Sequence, residues 1–145
     1  MELLQSQGLC KSIGVSNYLP ADLQHILATC KTPPAVNQIE FHPYLQRHEL
    51  LAFHKEHGIA TQAYGPLTAV TKAAPGPVDA VLQRLARKYA VSEAEVCLRW
   101  CVDQDVVAVT TSGKEQRLSD YLRAMTFKLT PAEVKMVGSV PFFFR

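Results

Sequence analysis

The feature that most constrains this chain is a repeated order of short strand and helix. Strands are predicted at residues 9–15, between Pro34 and Pro43, and at residues 59–64 and 105–110. Helices are predicted from Pro20, over residues 48–57, 78–89, 92–100 and 114–125, and from Pro131. Repeated βα units indicate an α/β fold, here with about four parallel strands and outer helices. A closed parallel barrel usually has eight strands, so the pattern predicts part of a larger structure.

Polar residues interrupt the second strand. A strand that is buried on both faces normally consists of Val, Ile and Leu, yet Asn37, Gln38, Glu40 and His42 lie in this one. Buried polar groups need hydrogen bonds to each other or to a ligand. Two interpretations therefore stay open: a satisfied polar ladder inside a barrel, or a strand whose end binds a cofactor.

Composition excludes several classes of function. With 145 residues, 48% of them hydrophobic, the chain is expected to form a single domain over residues 1–145. The net charge of +2 and the scattered basic residues argue against a nucleic-acid partner. No apolar run reaches the roughly 18 residues of a membrane span. The first residues do not resemble a secretory signal.

The four cysteines predict a reducing, cytoplasmic setting. Cys10, Cys30, Cys97 and Cys101 are too few and too widely spread for a disulfide scaffold. Cys97 and Cys101 lie four residues apart on a predicted helix, which is a spacing that a metal site can use. Their apolar neighbours instead predict buried free thiols.

Residues that can bind a ligand lie where the strands are predicted to end. Parallel βα folds bind ligands beyond these carboxyl ends. The ends carry Ser16-Asn17, Gln38 to His42, Tyr64 to Leu67, and residues 110–114 with Arg117 one turn later. Amides can pair with a carboxamide, a tyrosine can stack on a flat ring, and cations at a helix N-terminus suit a phosphate. Together these features indicate a nicotinamide dinucleotide.

Each of these residues also has a structural explanation. Ser16 and Asn17 are common turn and capping residues. Tyr64 could simply pack, and Lys114 and Arg117 could form a solvated helix face. The helix surfaces are expected to carry His25, His48, His54 and His57. His42 is expected to have a structural role, because no partner for it is evident in the sequence.

Four ordered motifs resemble the aldo-keto reductases. The motifs are Ser12-Ile-Gly-Val-Ser-Asn-Tyr18, Asn37-Gln-Ile-Glu-Phe-His-Pro-Tyr44, Gly58-Ile-Ala-Thr-Gln-Ala-Tyr-Gly-Pro-Leu67 and Val109-Thr-Thr-Ser-Gly-Lys-Glu-Gln-Arg117. They follow the order and approximate spacing of that family, to about residue 131. The resemblance implies a partial (β/α)8 TIM barrel, strands five to eight, with the amino-terminal half of the domain absent.

The resemblance also implies NADP (NADPH) as the cofactor. Ser16, Asn17 and Gln38 match the residues that hold the nicotinamide carboxamide. Tyr64 matches the tyrosine that stacks on the nicotinamide ring, and Leu67 a residue near the pyrophosphate.

The phosphate and adenine end of that site is matched less completely. Ser112 and Arg117 match positions around the adenosine 2'-phosphate. The family commonly has a lysine at the position of Thr111, and Lys114 is the candidate for that positive charge here. Asp120 and Tyr121 lie where the family usually has Glu and Asn at the adenine. The loop serine of the family is Ala69 here.

The catalytic tyrosine, lysine, aspartate and histidine of the family have no match in this chain, and His42 is not that histidine. The resemblance therefore implies an NADP-dependent oxidoreductase that transfers hydride between NADPH and a small aldehyde or ketone, inactive as this chain alone. The alternative is a non-catalytic truncated form that acts by self-association or by pairing with another chain.

An incomplete barrel is expected to expose an apolar inner face. The candidates for that face are Ile13, Val15, Val36, Ile39, Val107 and Val109. The phenylalanines at 142–144 could cover part of it. Self-association through this face is the expected consequence.

Overall fold

The computed structural model describes residues 1–140 of the chain. The helices are α1 Glu2–Ser6, α2 Pro20–Thr29, α3 His48–Glu56, α4 Asp79–Tyr89, α5 Glu93–Val102, α6 Glu115–Leu122 and α7 Pro131–Gly138. The strands are β1 Val15–Ser16, β2 Val36–Glu40, β3 Ala60–Tyr64 and β4 Val106–Ala108. Two short 3-10 turns lie at Thr68–Val70 and Arg123–Met125.

The four strands are parallel and form one sheet in the order β1-β2-β3-β4. In the first ladder, Val15 pairs with Asn37 and Ser16 with Gln38. Burial alternates along β2 and β3, since the second and fourth residues of each strand are buried and the others are half-buried or exposed. The α/β fold with about four parallel strands is therefore confirmed.

The outer strands are shorter than predicted. The prediction of a strand over 9–15 is wrong for most of its length, because β1 contains only Val15–Ser16. Pairing extends backwards through one further bond, from the Ala35 N–H to the Ile13 carbonyl at 2.8 Å. The predicted strand 105–110 shrinks to β4, which cannot begin at Asp105 because that residue adopts a left-handed φ of 58°.

Helix boundaries follow the predicted capping residues. Pro20 and Pro131 each occupy a first-turn position of their helix, as expected. The Ser92 hydroxyl accepts from the Glu95 N–H, while the Glu95 carboxylate accepts from the Ser92 N–H at 2.8 Å. Such a capping box satisfies two of the N–H groups that a helix start leaves unpaired.

The first of two compact units comprises Met1–Ile39 and Arg47–Gln62. Its buried apolar residues include Leu23, Ile39, Leu50 and Ile59. The polar side chains of Asn37, His54 and Thr61 are buried with them.

The second unit comprises Glu40–Gln46 and the chain from Ala63 onwards. Its core is built on α4 and α5, where Leu82, Leu85, Val96 and Trp100 are buried. The Trp100 ring stacks on Phe41 with 5.0 Å between centroids. The indole N–H of Trp100 donates to the Val134 carbonyl at 3.1 Å, which attaches α7 to α5.

Only part of the predicted apolar face is exposed. Of the candidates, Ile13 and Ile39 are buried, and β2 turns Ile39 to the same side as Asn37. Val107 is 51% exposed and Val109 40%. Val15 and Val36 are half-buried. The phenylalanines at 142–144 lie outside the described residues.

The cysteines are free, and Cys97 and Cys101 are fully buried as predicted. Within residues 1–140, no group of three or more His, Cys, Asp or Glu side chains is placed to hold a metal ion. Over the same residues, no helix combines the length and the apolar character that a membrane span requires.

Candidate functional site

Hydrogen bonds join three predicted site residues of the first unit. The Ser16 hydroxyl and the Asn17 N–H both donate to the Gln38 carbonyl, each at 2.9 Å. Ser16 and Asn17 are exposed and Gln38 is half-buried. The structure therefore holds the Ser16 hydroxyl and the Asn17 backbone against the Gln38 carbonyl, where β1 ends.

The side chains in this group are oriented by their neighbours. The Gln38 Nε2 donates to the Gln62 Oε1 at 2.9 Å, which fixes the plane of the Gln38 amide. Asn17 has a left-handed φ of 58°, a conformation that asparagine tolerates better than most residues. β1 ends at Ser16, and the chain turns at Asn17.

A buried polar chain, formed by Asn37, His54 and Thr61, lies next to this loop. The Asn37 Nδ2 is 3.0 Å from the His54 Nε2, and the His54 Nδ1 is 2.8 Å from the Thr61 Oγ1. Asn37 also pairs with the Tyr18 backbone: its Nδ2 donates to the carbonyl at 2.8 Å, and its Oδ1 accepts from the N–H at 3.3 Å. The ladder interpretation of β2 therefore holds for Asn37.

The prediction of a surface position for His54 is wrong. His54 is buried, and burial lowers its pKa below the ordinary value of 6.5, which keeps the ring neutral. A sequence signal for this was present, because His54 lies four residues after Leu50 and therefore on the buried face of α3.

The expectation that His42 lacks a partner is also wrong. Its Nε2 lies 3.2 Å from the Glu40 Oε1, and its backbone exchanges two hydrogen bonds with Leu45. Burial lowers the pKa of His42, while the Glu40 carboxylate opposes that effect. The contacts agree with the predicted structural role, since they hold the turn that follows β2.

The predicted stacking tyrosine of the second unit ends β3. Tyr64 is 36% exposed, and its carbonyl accepts from the Phe41 N–H at 3.3 Å. Gly65 follows with a φ of 62°, which turns the chain. Leu67 is half-buried and precedes the 3-10 turn, in which Ala69 is fully buried. Ala69 therefore packs in the core of the turn.

The predicted phosphate residues surround the start of α6. The Ser112 hydroxyl accepts from the Lys114 N–H at 3.1 Å, and Lys114 is the N-cap of the helix. The Arg117 N–H donates to the Lys114 carbonyl at 3.1 Å. Lys114 and Arg117 are exposed, so two cations and the helix dipole meet at one helix end.

Asp120 and Tyr121 lie further along α6, and both are half-buried. The Asp120 carboxylate accepts from the Gln116 Nε2 at 2.9 Å, and one of its oxygens is 4.0 Å from the Arg123 guanidinium. Asp120 is therefore engaged within its own helix.

Comparison with known proteins adds independent observations. A model of the aldo/keto reductase family matches residues 1–140. An NADPH-dependent alpha-keto amide reductase of Saccharomyces cerevisiae is 41% identical over 143 residues, with 94% of this chain and 46% of that protein covered. An NAD/NADP-dependent indole-3-acetaldehyde reductase of Schizosaccharomyces pombe is 37% identical over 142 residues, covering 97% of this chain and 50% of that protein.

Solved structures agree with these matches. An aldo-keto reductase of Bombyx mori in complex with NADP superposes with a TM-score of 0.90 at 30% identity, covering 96% of this chain and 47% of that one. An aldo/keto reductase from Brucella melitensis gives a TM-score of 0.85 at 33% identity, covering 95% and 51%. The chain thus spans about half the length of the relatives that it matches. Since the family model covers nearly all of it, this chain belongs to the aldo/keto reductase family.

Proposed function

We propose that this chain provides NADP-binding residues of an aldo-keto reductase-type oxidoreductase, which transfers hydride between NADPH and a small aldehyde or ketone. The observation that carries the proposal is the hydrogen-bonded group of Ser16, Asn17 and Gln38. The Saccharomyces relative is named as NADPH-dependent and the silkworm structure contains NADP, which supports the choice of cofactor. Four free thiols support a reducing, cytoplasmic setting.

In this proposal, the first unit holds the nicotinamide carboxamide. A carboxamide has both a donor and an acceptor, so it needs a complementary pair. The Gln38 Oε1 accepts from the carboxamide N–H, because its Nε2 is turned towards Gln62. The Asn17 Nδ2 donates to the carboxamide oxygen, and the Ser16 hydroxyl donates to it once its hydrogen turns away from the Gln38 carbonyl. The nicotinamide, when bound, supplies the hydride.

Taken by itself, the second unit offers residues for a flat ring and for a phosphate in this proposal. Tyr64 stacks on the nicotinamide ring, and Leu67 lies by the pyrophosphate. Ser112, Lys114 and Arg117 surround the phosphate, which the exposed cations and the N-terminal dipole of α6 favour.

The first test compares NADPH and NADH binding by the 145-residue chain with binding by Arg117→Ala. A charge-assisted bond to phosphate is worth about 1.5–3 kcal/mol, and an exposed one lies at the low end. The variant should therefore bind NADPH about tenfold more weakly and NADH unchanged. The matched control is Arg87→Ala, which removes an exposed arginine from α4. Equal losses for both cofactors would show that Arg117 does not hold the phosphate.

Asp120 and Tyr121 are proposed to line the adenine. The half-buried Tyr121 offers a flat face, and the Asp120 carboxylate can accept from the adenine amino group. Tyr121→Ala should then weaken NADPH and NADH to the same extent.

We further propose that the 145-residue chain, assayed by itself, does not reduce carbonyl compounds. No residue of the chain matches the tyrosine acid of the family, and general acid catalysis typically contributes about 10²–10⁴-fold. Oxidation of NADPH by the purified chain with a simple aromatic aldehyde, above a heat-killed control, would contradict this.

The alternative function, a non-catalytic form that acts by self-association or by pairing with another chain, is favoured by one observation. Val107 and Val109 expose apolar side chains on one strand region of the second unit. Sedimentation of Val107→Ser beside the unaltered chain tests it. A chain that stays monomeric across all concentrations would exclude self-association.

A further inference from the structure

The loop after β1 is held by two consecutive residues of β2. The Gln38 carbonyl accepts from Ser16 and Asn17, and the Asn37 side chain pairs with both backbone groups of Tyr18. Asn17 has a left-handed φ of 58°. A left-handed residue other than glycine is uncommon, so the contacts around it help to select this conformation. The Asn37 side chain is therefore part of what keeps the loop in shape.

The orientation of the Asn37 amide follows from its partners. Its Oδ1 accepts from the Tyr18 N–H, so its Nδ2 must be the group that donates to the Tyr18 carbonyl. The second hydrogen of Nδ2 then points at the His54 Nε2, 3.0 Å away. His54 must accept at Nε2 and carry its proton on Nδ1, which donates to the Thr61 Oγ1 at 2.8 Å.

An apolar residue at position 54 would leave a buried N–H of Asn37 without a partner. Buried donors in folded proteins are almost always paired, because an unpaired one is costly. His54 thus pairs the second hydrogen of the Asn37 Nδ2 and supports the orientation in which Asn37 binds Tyr18.

We propose that His54 is a positioning residue for the carboxamide-binding loop, acting through Asn37. It touches neither cofactor nor substrate, and its effect is to hold Asn17 and Tyr18 in the geometry that the amide group requires. The inference rests on the proposed function of Ser16, Asn17 and Gln38.

The test uses two probes and three variants of the full 145-residue chain. The probes are NADPH and adenosine 2',5'-bisphosphate, which lacks the nicotinamide. His54→Gln places an amide oxygen near the Nε2 position and keeps an acceptor for Asn37. His54→Asn places its amide near the Nδ1 position and loses that acceptor. His57→Gln is the control, because His57 is exposed one turn later, where its Nδ1 lies 3.0 Å from the Phe53 carbonyl oxygen and its ring stacks on Phe53.

His54→Asn should bind NADPH about tenfold more weakly and the bisphosphate within twofold of the unaltered chain. His54→Gln should bind NADPH within threefold, and His57→Gln should bind both probes normally. A merely structural role would weaken both probes together, with Gln no better than Asn. That pattern would overturn the proposal.

Nitrogen-15 NMR of the His54 ring and of the backbone amides tests the proposal without measuring cofactor binding. The unaltered chain should show His54 as the Nδ1–H tautomer, and His54→Asn should shift the Asn17 and Tyr18 amides while His54→Gln leaves them nearly unchanged. An Nε2–H tautomer of His54, or unshifted Asn17 and Tyr18 amides in His54→Asn, would overturn the proposal. The tautomer is observed in the unaltered chain, so that outcome depends neither on the folding of the variant nor on cofactor binding. Absence of NADPH binding by the unaltered chain would instead contradict the proposed function alone.

Discussion

The carboxylate of Glu133 should make the stability of this protein depend on acid pH. Glu133 lies in the first turn of α7 and receives four hydrogen bonds from other residues: from Lys88 at 2.6 Å, from Tyr89 at 2.8 Å, and from the N–H and hydroxyl of Thr130 at 2.8 and 2.9 Å. Burial alone would raise its pKa. The Lys88 ammonium and the other donors outweigh burial and lower that pKa from 4.5 to about 2.

The magnitude follows from this depression of the pKa. A difference of about 2.5 between the unfolded and folded pKa corresponds to roughly 3 kcal/mol. The Lys88 side chain is 54% exposed, so solvent screens part of the attraction, and we expect about 1.5 kcal/mol. Because the folded pKa is the lower one, this stability is fully present above pH 4.5 and is lost as pH falls towards 2.

The assay is urea denaturation of Glu133→Gln, followed by the fluorescence of Trp100. Glutamine preserves the capping box, which accepts Glu or Gln at this position, so the change removes the charge and the bond from Lys88 but keeps one oxygen for Thr130 and Tyr89. Trp100 is the single tryptophan, and its bond to Val134 makes it a reporter of α7. The variant should be about 1.5 kcal/mol less stable at pH 7 and nearly equal to the unaltered chain at pH 2.5.

The matched control is Glu115→Gln, because Glu115 lies in the first turn of α6 and is exposed. Glu115→Gln should change the free energy of unfolding by less than about 0.5 kcal/mol at pH 7 and at pH 2.5. A Glu133→Gln deficit of the same size at pH 7 and pH 2.5 would refute the reasoning, since the loss would then not come from the charge.

Two further predictions concern the core and the first ladder. Burial raises the pKa of both α5 thiols, that of Cys101 to about 12, so Cys97 and Cys101 should resist a thiol reagent in native buffer while the other two cysteines react. Four fast-reacting thiols without urea would contradict this. Gly14→Ala should cost about 1–3 kcal/mol, because the new methyl group would lie 2.6 Å from the Val36 carbonyl oxygen. Gly113→Ala is its control, with nothing within 4 Å, and equal urea midpoints for the two variants would count against the argument.

Helix starts were predictable because they depend on neighbours in the sequence. Ser92 and Thr130 cap helices whose glutamates lie three residues later, and Pro20 begins a helix at its preferred position. The family could be recognised for a similar reason. Its motifs are short, ordered runs, so they are visible before any contact is known.

Burial of individual polar side chains was less predictable, because it depends on segments that are far apart in the chain. Asn37, 17 residues before His54, supplies one of its partners, whereas the Glu40 partner of His42 is only two residues away. The length of β1 also depends on a distant segment. β1 lies at the edge of the sheet and pairs with β2, so it extends only as far as that pairing does.

The sequence by itself determined the order of strands and helices, the capped helix starts and the ligand-binding residue types at the strand ends. Only the tertiary structure decided that Ile39 is buried, and that His54 lies between Asn37 and Thr61. The physical reason is separation along the chain. Asn37 and Thr61 are brought to opposite sides of one imidazole only when β2, α3 and β3 pack together, and no local pattern encodes that meeting.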